Sequence, residues 1–334
     1  MPGPYRGAVA RVHCAGVIDT TTERIDQPSI DKMLSAGIRT LTGAKSEQDG
    51  WSAFFSSKDV VGIKVNCSGA PVIRASPEVV SGIVRNLVSV GVKPENIYIY
   101  ERFLDQLVSV HYERYVPEGV QLVAIESPAN SLMGYDPRIY VEVSFFGEDD
   151  TRSNLARLVS ERFTKIINVP NAKEHQASGV TGCLKNLAYG DFSNVARSHM
   201  QEQTNTLSFI GTLAAVEPLR SKCVLNIMDG IRAIWHGGPF SEDAKFRFYP
   251  KLMMFGTDPV AMDRLLLDLI EEKRTAEGAP SLWDRSPDLI DRRAHMDFHK
   301  NTFIREPGHI EYAAKNFGLG EYDKSRIKVT SVEV

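Results

Sequence analysis

The chain has 334 residues, of which 43% are hydrophobic and 24% charged, so it can bury a large core in one α/β unit or in two closely packed lobes. Its formal net charge of −3 gives no sign of a nucleic-acid or anionic-membrane partner, and no segment approaches the roughly 20 apolar residues that span a bilayer. The four cysteines are far apart and form no C-x-x-C pair, which argues against an intrinsic iron–sulfur cluster.

Apolar strands and amphipathic helices alternate along the first half of the chain. A strand is predicted over residues 59–65, and Ser76-Pro77-Glu78 then supplies the cap, proline and acidic residue typical of a helix start. Apolar residues continue at helical spacing until Gly91, which ends this helix. Further strands are predicted over residues 96–100, 121–125 and 140–145, the last as an antiparallel edge.

The second half continues the alternation, with strands predicted over residues 163–169, 222–228 and 251–255. Asp258-Pro259 starts another capped helix, residues 284–303 suggest a surface helix, and the tail suggests a helix followed by a short strand. This order favours right-handed crossovers and a mostly parallel sheet flanked by helices. A turn near residue 150 suggests an N-terminal lobe over 1–150 and a C-terminal lobe over 151–334.

Polar residues follow several of the predicted strands. Lys64 and Asn66 end the first strand, Lys173 and His175 follow the strand over 163–169, and Asp229 follows the strand over 222–228. Thr257 and Asp258 follow the strand over 251–255 in the same way. Because ligands of open parallel sheets bind beyond the carboxyl ends of the strands, we expect these clusters to meet at one edge and form a site.

The loop after residue 169 has the composition of an anion site. Gly179-Val-Thr-Gly182 could present backbone N–H groups to an anion, and Lys185 would add positive charge. Lys173 and Arg197 would orient a carboxylate or phosphate group, while two amides, Asn66 and Asn186, would exchange hydrogen bonds with it. The alternative is an ordinary turn and helix start with a solvated Lys185.

Three histidines, His175, His199 and His236, lie in separate polar segments. With Asp229 they could hold a divalent transition metal, although the ordinary interpretation of each, His175 excepted, is a surface or hydrogen-bonded histidine. His175 is predicted as a general base or ligand because of its neighbours, and Lys64 and Lys185 join it as catalytic candidates. Lys64 must reach water, a ligand or a carboxylate, and pairing with Glu101 would make it structural.

The ordered set of motifs resembles the family known as domain of unknown function 362. The resemblance covers about residues 59–270 and rests on Val61-Gly-Ile-Lys64-Val-Asn66, Asn168-Val-Pro-Asn-Ala-Lys173-Glu-His175, Gly179-Val-Thr-Gly-Cys-Leu-Lys185-Asn186, Asp229-Gly230 and Gly256-Thr-Asp258-Pro259. Many members carry ferredoxin-like cysteine clusters, so the resemblance implies redox chemistry, but this chain has no such cluster. The chain has no apolar leader, so a cytoplasmic location is the default; some members are exported, so a trimmed leader would imply export.

The leading hypothesis is an enzyme, an oxidoreductase or isomerase with or without a metal, that binds a small anion at the carboxyl edge of the sheet. The competing hypothesis is a non-catalytic protein that binds an anion or a metal-bearing cofactor on the same fold. An interaction module is a third reading, and the sequence leaves an oligomer open.

Overall fold

The computed structural model describes residues 1–127, 133–200, 204–241, 243–294 and 296–334. Its strands are β1 (Ala8–His13), β2 (Val61–Val65), β3 (Ile97–Phe103), β4 (Gln121–Glu126), β5 (Tyr135–Glu142), β6 (Arg152–Ala156), β7 (Lys165–Val169), β8 (Asn171–His175), β9 (Gly179–Val180), β10 (Cys223–Ile234), β11 (Arg247–Phe248), β12 (Leu252–Gly256) and β13 (Lys328–Glu333).

The α-helices are α1 (Gln27–Thr42), α2 (Glu47–Ser52), α3 (Pro77–Ser89), α4 (Leu104–Val108), α5 (Gly182–Asp191), α6 (Thr206–Ala214), α7 (Leu219–Lys222), α8 (Pro259–Ala276) and α9 (His309–Phe317). Short 3₁₀ turns occupy Pro94–Asn96, Tyr112–Arg114, Ala196–His199, Ala244–Phe246 and Pro287–Leu289, and one π turn spans Leu158–Arg162. Among the described residues, no helix combines the length and apolar character needed to cross a bilayer.

One large sheet organises the molecule, in the order β13-β1-β12-β10-β7-β2-β3-β4. Strands β4, β3, β2, β7 and β10 pair in parallel, and so do β1 and β13. β12 is antiparallel to both of its neighbours. The predicted α/β fold with a mostly parallel sheet flanked by helices is therefore confirmed.

The direction of β12 corrects one expectation. The strand was expected to deliver Thr257 and Asp258 to the common edge, but it runs against β10 and ends at the opposite edge. There Asp258 caps α8 by accepting a hydrogen bond from the Ala261 N–H at 2.9 Å, and it also accepts from the Gly7 and Glu321 N–H groups. Its role is structural, because these bonds tie the helix start to both ends of the chain.

Two other elements differ from the sequence-based expectation. The strand expected over 140–145 begins earlier, as β5, and pairs with β6 in a separate antiparallel sheet instead of extending the main one. The surface helix expected over 284–303 is a series of turns with one 3₁₀ turn in its described residues. β1 and α1 were not predicted.

Helices cover both faces of the sheet. Alternate residues of β2 (Val61, Ile63 and Val65) pack toward α1, α2 and α3, in one apolar cluster. A second cluster fills the space between the opposite face and α5, α6, α8 and α9. Because side chains alternate along a strand, Lys64 lies on the α5 face, and so does Asn168, its partner in the register with β7.

Candidate functional site

A cleft of about 230 Å³ lies at the carboxyl ends of β2 and β3. Its walls come from the ends of these strands, from β8, from α5 and from the loop after β10. It brings together six of the residues singled out in the sequence: Asn66, Lys173, His175, Lys185, Asn186 and His199. These side chains are separated by up to 133 positions in the sequence and meet because their strands run side by side in one direction.

Two lysines give the cleft its charge. Lys173 Nζ donates to the Ser68 carbonyl at 2.5 Å, and Lys185 Nζ lies 4.2 Å from the centre of the Tyr189 ring. Both side chains are buried, and neither has a carboxylate within 4 Å in the part of the chain that the structure describes. The pKa of each lysine is lowered to about 7, mainly by burial and, for Lys185, also by the nearby charge of Lys173.

Glu101 borders the same cleft, but its oxygens are already engaged. Oε1 accepts from Lys64 Nζ at 2.9 Å and from the Arg102 N–H at 2.7 Å, and Oε2 accepts from the Cys67 N–H at 2.9 Å. Lys64 is fully buried behind the cleft wall and does not line it. The pairing with Glu101, considered above as the structural alternative for Lys64, is the arrangement found.

Gly190 allows α5 to approach this ion pair. A Cβ atom at Gly190 would lie 2.2 Å from Cε of Lys64, far inside van der Waals contact. The glycine is therefore required where the helix crosses the lysine.

His175 is held in one tautomer by the main chain. Its Nδ1 accepts from the Ala177 N–H at 3.1 Å and from the Ser178 N–H at 3.4 Å. Because a backbone N–H can only donate, Nδ1 is unprotonated and Nε2 carries the hydrogen of the neutral ring. Burial, followed by the charge of Lys185, holds the pKa of His175 well below its usual value, so the ring is neutral near pH 7. This favours a hydrogen-bond donor at Nε2 over the predicted general base or metal ligand.

His199 has the opposite tautomer. The Ser198 hydroxyl lies 2.8 Å from the Val195 carbonyl, 2.7 Å from Tyr189 Oη and 2.7 Å from His199 Nδ1. Since the carbonyl can only accept, the single hydroxyl proton goes to it, and Tyr189 and His199 Nδ1–H then donate to the hydroxyl. The Nε2 lone pair of His199 is left as an acceptor.

The two histidine rings form a neutral pair. They meet edge to face with centroids 5.4 Å apart. The pKa of His199 is also well below its usual value, because of burial and the charge of Lys185. The cleft thus holds an imidazole donor beside an imidazole acceptor.

The glycine loop does not offer the expected backbone anion site. At the start of α5, the Cys183 N–H donates to Asp263 Oδ1 at 2.5 Å and the Leu184 N–H donates to Oδ2 at 2.9 Å. Gly182, with φ +58°, leaves room for this carboxylate, and Gly179, with φ +81°, packs against Pro307. The protein's own Asp263 occupies the position where an anion was predicted.

Arg197 and Asp229 lie outside the cleft lining. Arg197 donates to the Val143, Asn194 and Thr151 carbonyls and pairs with Glu148, so it fastens the segment around β5 and β6. Asp229 accepts from the Ser76 N–H at 2.7 Å and the Ile231 N–H at 3.1 Å and thereby holds the start of α3.

His236 is buried against Trp235 and Phe246, and its Nδ1 accepts from Arg274 at 3.2 Å. The loop that follows it does reach the cleft, through Pro239 and Phe240. The histidine itself does not.

The described residues do not fit the predicted metal site. Within them, no group of three or more His, Cys, Asp or Glu side chains is placed to hold a metal ion. His236 and Asp229 lie away from the cleft, and Nδ1 of His175 is engaged by backbone N–H groups. We therefore assign no step to a metal.

Sequence reasoning missed Tyr189 and Arg102, which also line the cleft. Tyr189 follows Lys185 by four residues on α5, so helical spacing could have placed them together. Arg102 donates to Glu126 at 2.8 Å and faces the cleft directly after Glu101. Its position next to a strand-end carboxylate was the available signal.

Comparisons with known proteins give the family but little else. The fold is similar to the crystal structure of a protein from Thermotoga maritima, with 12% sequence identity and a TM-score of 0.38, over 76% of this chain and 59% of that protein. No curated protein matches the chain at a significant level. The family model described as "Domain of unknown function (DUF362)" matches residues 61–268, well over half of the chain. The chain therefore belongs to the DUF362 family.

Proposed function

We propose that the protein is an enzyme that binds a small anionic substrate in the cleft and moves a proton on it through the histidine pair. The observation that supports this most strongly is the burial of Lys173 and Lys185 with no carboxylate within 4 Å of either in the described residues. The charge of Glu101 acts on Lys173 from farther away, but Glu101 itself is paired with Lys64. A buried ammonium without a counter-ion is costly, and a bound carboxylate or phosphate would supply the missing charge.

The tautomers of the histidines support the catalytic half of the proposal. His199 offers an Nε2 lone pair that can accept a proton, and His175 offers an Nε2–H that can donate a hydrogen bond. A neutral acceptor beside a neutral donor suits proton abstraction next to a carbonyl or carboxylate group. Isomerases that act by proton transfer use such a step, and so do some oxidoreductases, so these are the reaction classes proposed.

The anion site is tested by titration calorimetry with phosphate, succinate, malate and citrate as probes. We expect Lys173→Met and Lys185→Met each to weaken binding by about 10- to 100-fold, the range for a charge-assisted hydrogen bond. The control is Lys222→Met. Lys222 is a partly buried lysine that donates to the Val159 and Ser160 carbonyls outside the cleft lining, and burial lowers its pKa as well.

Affinity should also depend on pH. Because both lysines lose their protons around pH 7, anion affinity should fall as the pH rises from 6 to 9, and binding near pH 7 should take up protons from the buffer. Equal affinity in wild type and both lysine variants would overturn the proposal.

A non-catalytic anion-binding protein is the second candidate, since the lysines alone support binding without turnover. The two are separated by incubating the protein with a bound anion in D₂O and following loss of carbon-bound protons by ¹H NMR. An enzyme of the proposed kind should exchange them, and His199→Ala should abolish exchange while retaining anion binding. Binding without exchange by wild type would favour the second candidate.

A further inference from the structure

Four asparagines form a hydrogen-bonded relay between the sheet and α5. Asn66 follows β2, Asn168 belongs to β7, Asn226 belongs to β10 and Asn186 belongs to α5. Asn168 and Asn226 are direct partners in the register between β7 and β10. All four side chains are buried, and the relay ends at the cleft, which Asn66 and Asn186 line.

Backbone carbonyls fix the direction of the relay at its far end. Asn226 Nδ2 donates to the Gly256 carbonyl at 3.5 Å, so its Oδ1 faces the next amide. Asn168 Nδ2 donates both to that Oδ1, at 2.8 Å, and to the Cys183 carbonyl, at 3.0 Å. Because a carbonyl oxygen can only accept, neither of these amides can be reversed without losing a bond.

The two remaining amides, Asn186 and Asn66, take the same orientation, with Nδ2 donating to the preceding amide of the relay. Asn186 Nδ2 donates to Asn168 Oδ1 at 2.7 Å, and Asn66 Nδ2 donates to Asn186 Oδ1 at 2.9 Å. Asn66 Oδ1 is therefore the last atom of the relay, and it is an acceptor. It is buried with no hydrogen-bond partner among the described residues, and so is Oγ1 of Thr181, a residue that also lines the cleft. A buried acceptor left unpaired destabilises the site, so the site is built for a ligand that donates to it.

We infer that the substrate is a hydroxylated small anion, whose charged group lies against Lys173 and Lys185 and whose hydroxyl donates to Asn66 Oδ1. This inference rests on the proposed function, because the lysines supply the site for the charged group. A ligand ammonium is the wrong donor here, since it would lie beside two buried lysines that have no carboxylate within 4 Å among the described residues. Hydroxycarboxylates and polyol phosphates share the required chemistry.

The test compares pairs of probes that differ by one hydroxyl: malate with succinate, citrate with tricarballylate, and glycerol 3-phosphate with propyl phosphate. Calorimetry on the wild-type protein should show the hydroxylated member of the preferred pair binding at least 10-fold more tightly, because the deoxy member leaves the buried acceptor unpaired. The pair that binds most tightly identifies the charged group, because two of the pairs are carboxylates and the third is a pair of phosphates.

Asn66→Leu should reduce the preference for the hydroxylated probe to less than threefold, because only the hydroxylated member of the pair should bind more weakly. The control is Asn316→Leu, at an exposed position of α9, which should leave the preference unchanged. Anions that bind the wild type equally well with and without the hydroxyl would overturn the inference and leave the proposed anion site standing. Failure of every probe to bind would instead contradict the proposed function.

Discussion

Lys173 and Lys185 lie in the cleft at a cost to folding. The pKa of each is about 7 in the folded protein, against 10.5 for an ordinary lysine. Between pH 7 and 10.5 the unfolded chain binds more protons than the folded one, so this contribution makes the protein more stable as the pH rises through that window. Below pH 7 the penalty is present in full.

Replacing Lys185 with methionine should therefore stabilise the protein while it impairs anion binding. At pH 6 we expect Lys185→Met to raise the free energy of unfolding by about 2–5 kcal/mol, and the gain should shrink toward zero near pH 10. Urea denaturation at the two pH values measures this. A variant less stable than wild type at pH 6 would contradict this prediction.

The residues of the cleft were partly predictable. His175, Lys173 and Lys185 lie in one polar segment directly after a buried strand, and the side-by-side strands account for their meeting with Asn66. The roles of the histidines were not predictable, because the tautomer of His199 depends on hydrogen bonds to the Ser198 hydroxyl. Arg197 and Asp229 likewise depend on backbone partners that are remote in sequence, and His236 depends on the side chain of Arg274.

At the scale of elements, the start of α5 explains why a glycine loop with the composition of an anion site has another role. Asp263 comes from α8 and accepts the first N–H groups of α5, so one helix holds the start of the other. Burial raises the pKa of Asp263 to about 7. Gly182 is needed because its φ is +58° and because a Cβ there would lie 2.3 Å from Asp263 Oδ1.

Gly182→Ala should accordingly destabilise the protein more than backbone strain alone. We expect a loss of about 2–4 kcal/mol, because the methyl group would displace the carboxylate and leave two N–H groups without an acceptor. Gly278→Ala is the matched control: its φ is +71°, but nothing lies within 4 Å of the added atom, so it should cost only about 1 kcal/mol. If denaturant titrations gave the same loss of stability for Gly182→Ala and Gly278→Ala, the space at Gly182 would not be needed to hold the Asp263 carboxylate.

Elements with strong local signals were predicted well. The strands that became β2, β7 and β10 are apolar runs bounded by polar residues, and the start of α8 carries its own cap in Asp258. The direction of β12 could not be read in this way, because an apolar run looks the same whether its neighbour runs parallel or antiparallel. Pairing between distant strands decides it.

At the scale of the whole molecule, strands from both halves of the chain are interleaved. β7 lies between β2 and β10, and β1 lies between β12 and β13. The division into lobes over 1–150 and 151–334 stays a prediction, but such lobes would share one sheet, and neither could leave without exposing unpaired strand edges.

Both halves should therefore unfold in one transition. In a Trp235→Phe/Trp283→Phe variant, fluorescence reports Trp51 in the first half, and in Trp51→Phe it reports the second half. Within each variant, we expect the urea midpoint measured by fluorescence to agree with the midpoint measured by far-UV circular dichroism. After correction for the difference in stability between the two variants, their fluorescence midpoints should also agree. Separate midpoints within either variant, by fluorescence and by circular dichroism, would indicate lobes that unfold independently.

The missing side chain at Gly190 has an effect at a distance. It gives the Lys64 ammonium room to hold Glu101, so this carboxylate is paired with Lys64 and not with Lys173. A single methyl group on α5 would push that ammonium aside and release an internal competitor for the cations. The proposed anion site therefore depends on a residue without a side chain, because Gly190 keeps the pair between Lys64 and Glu101 intact.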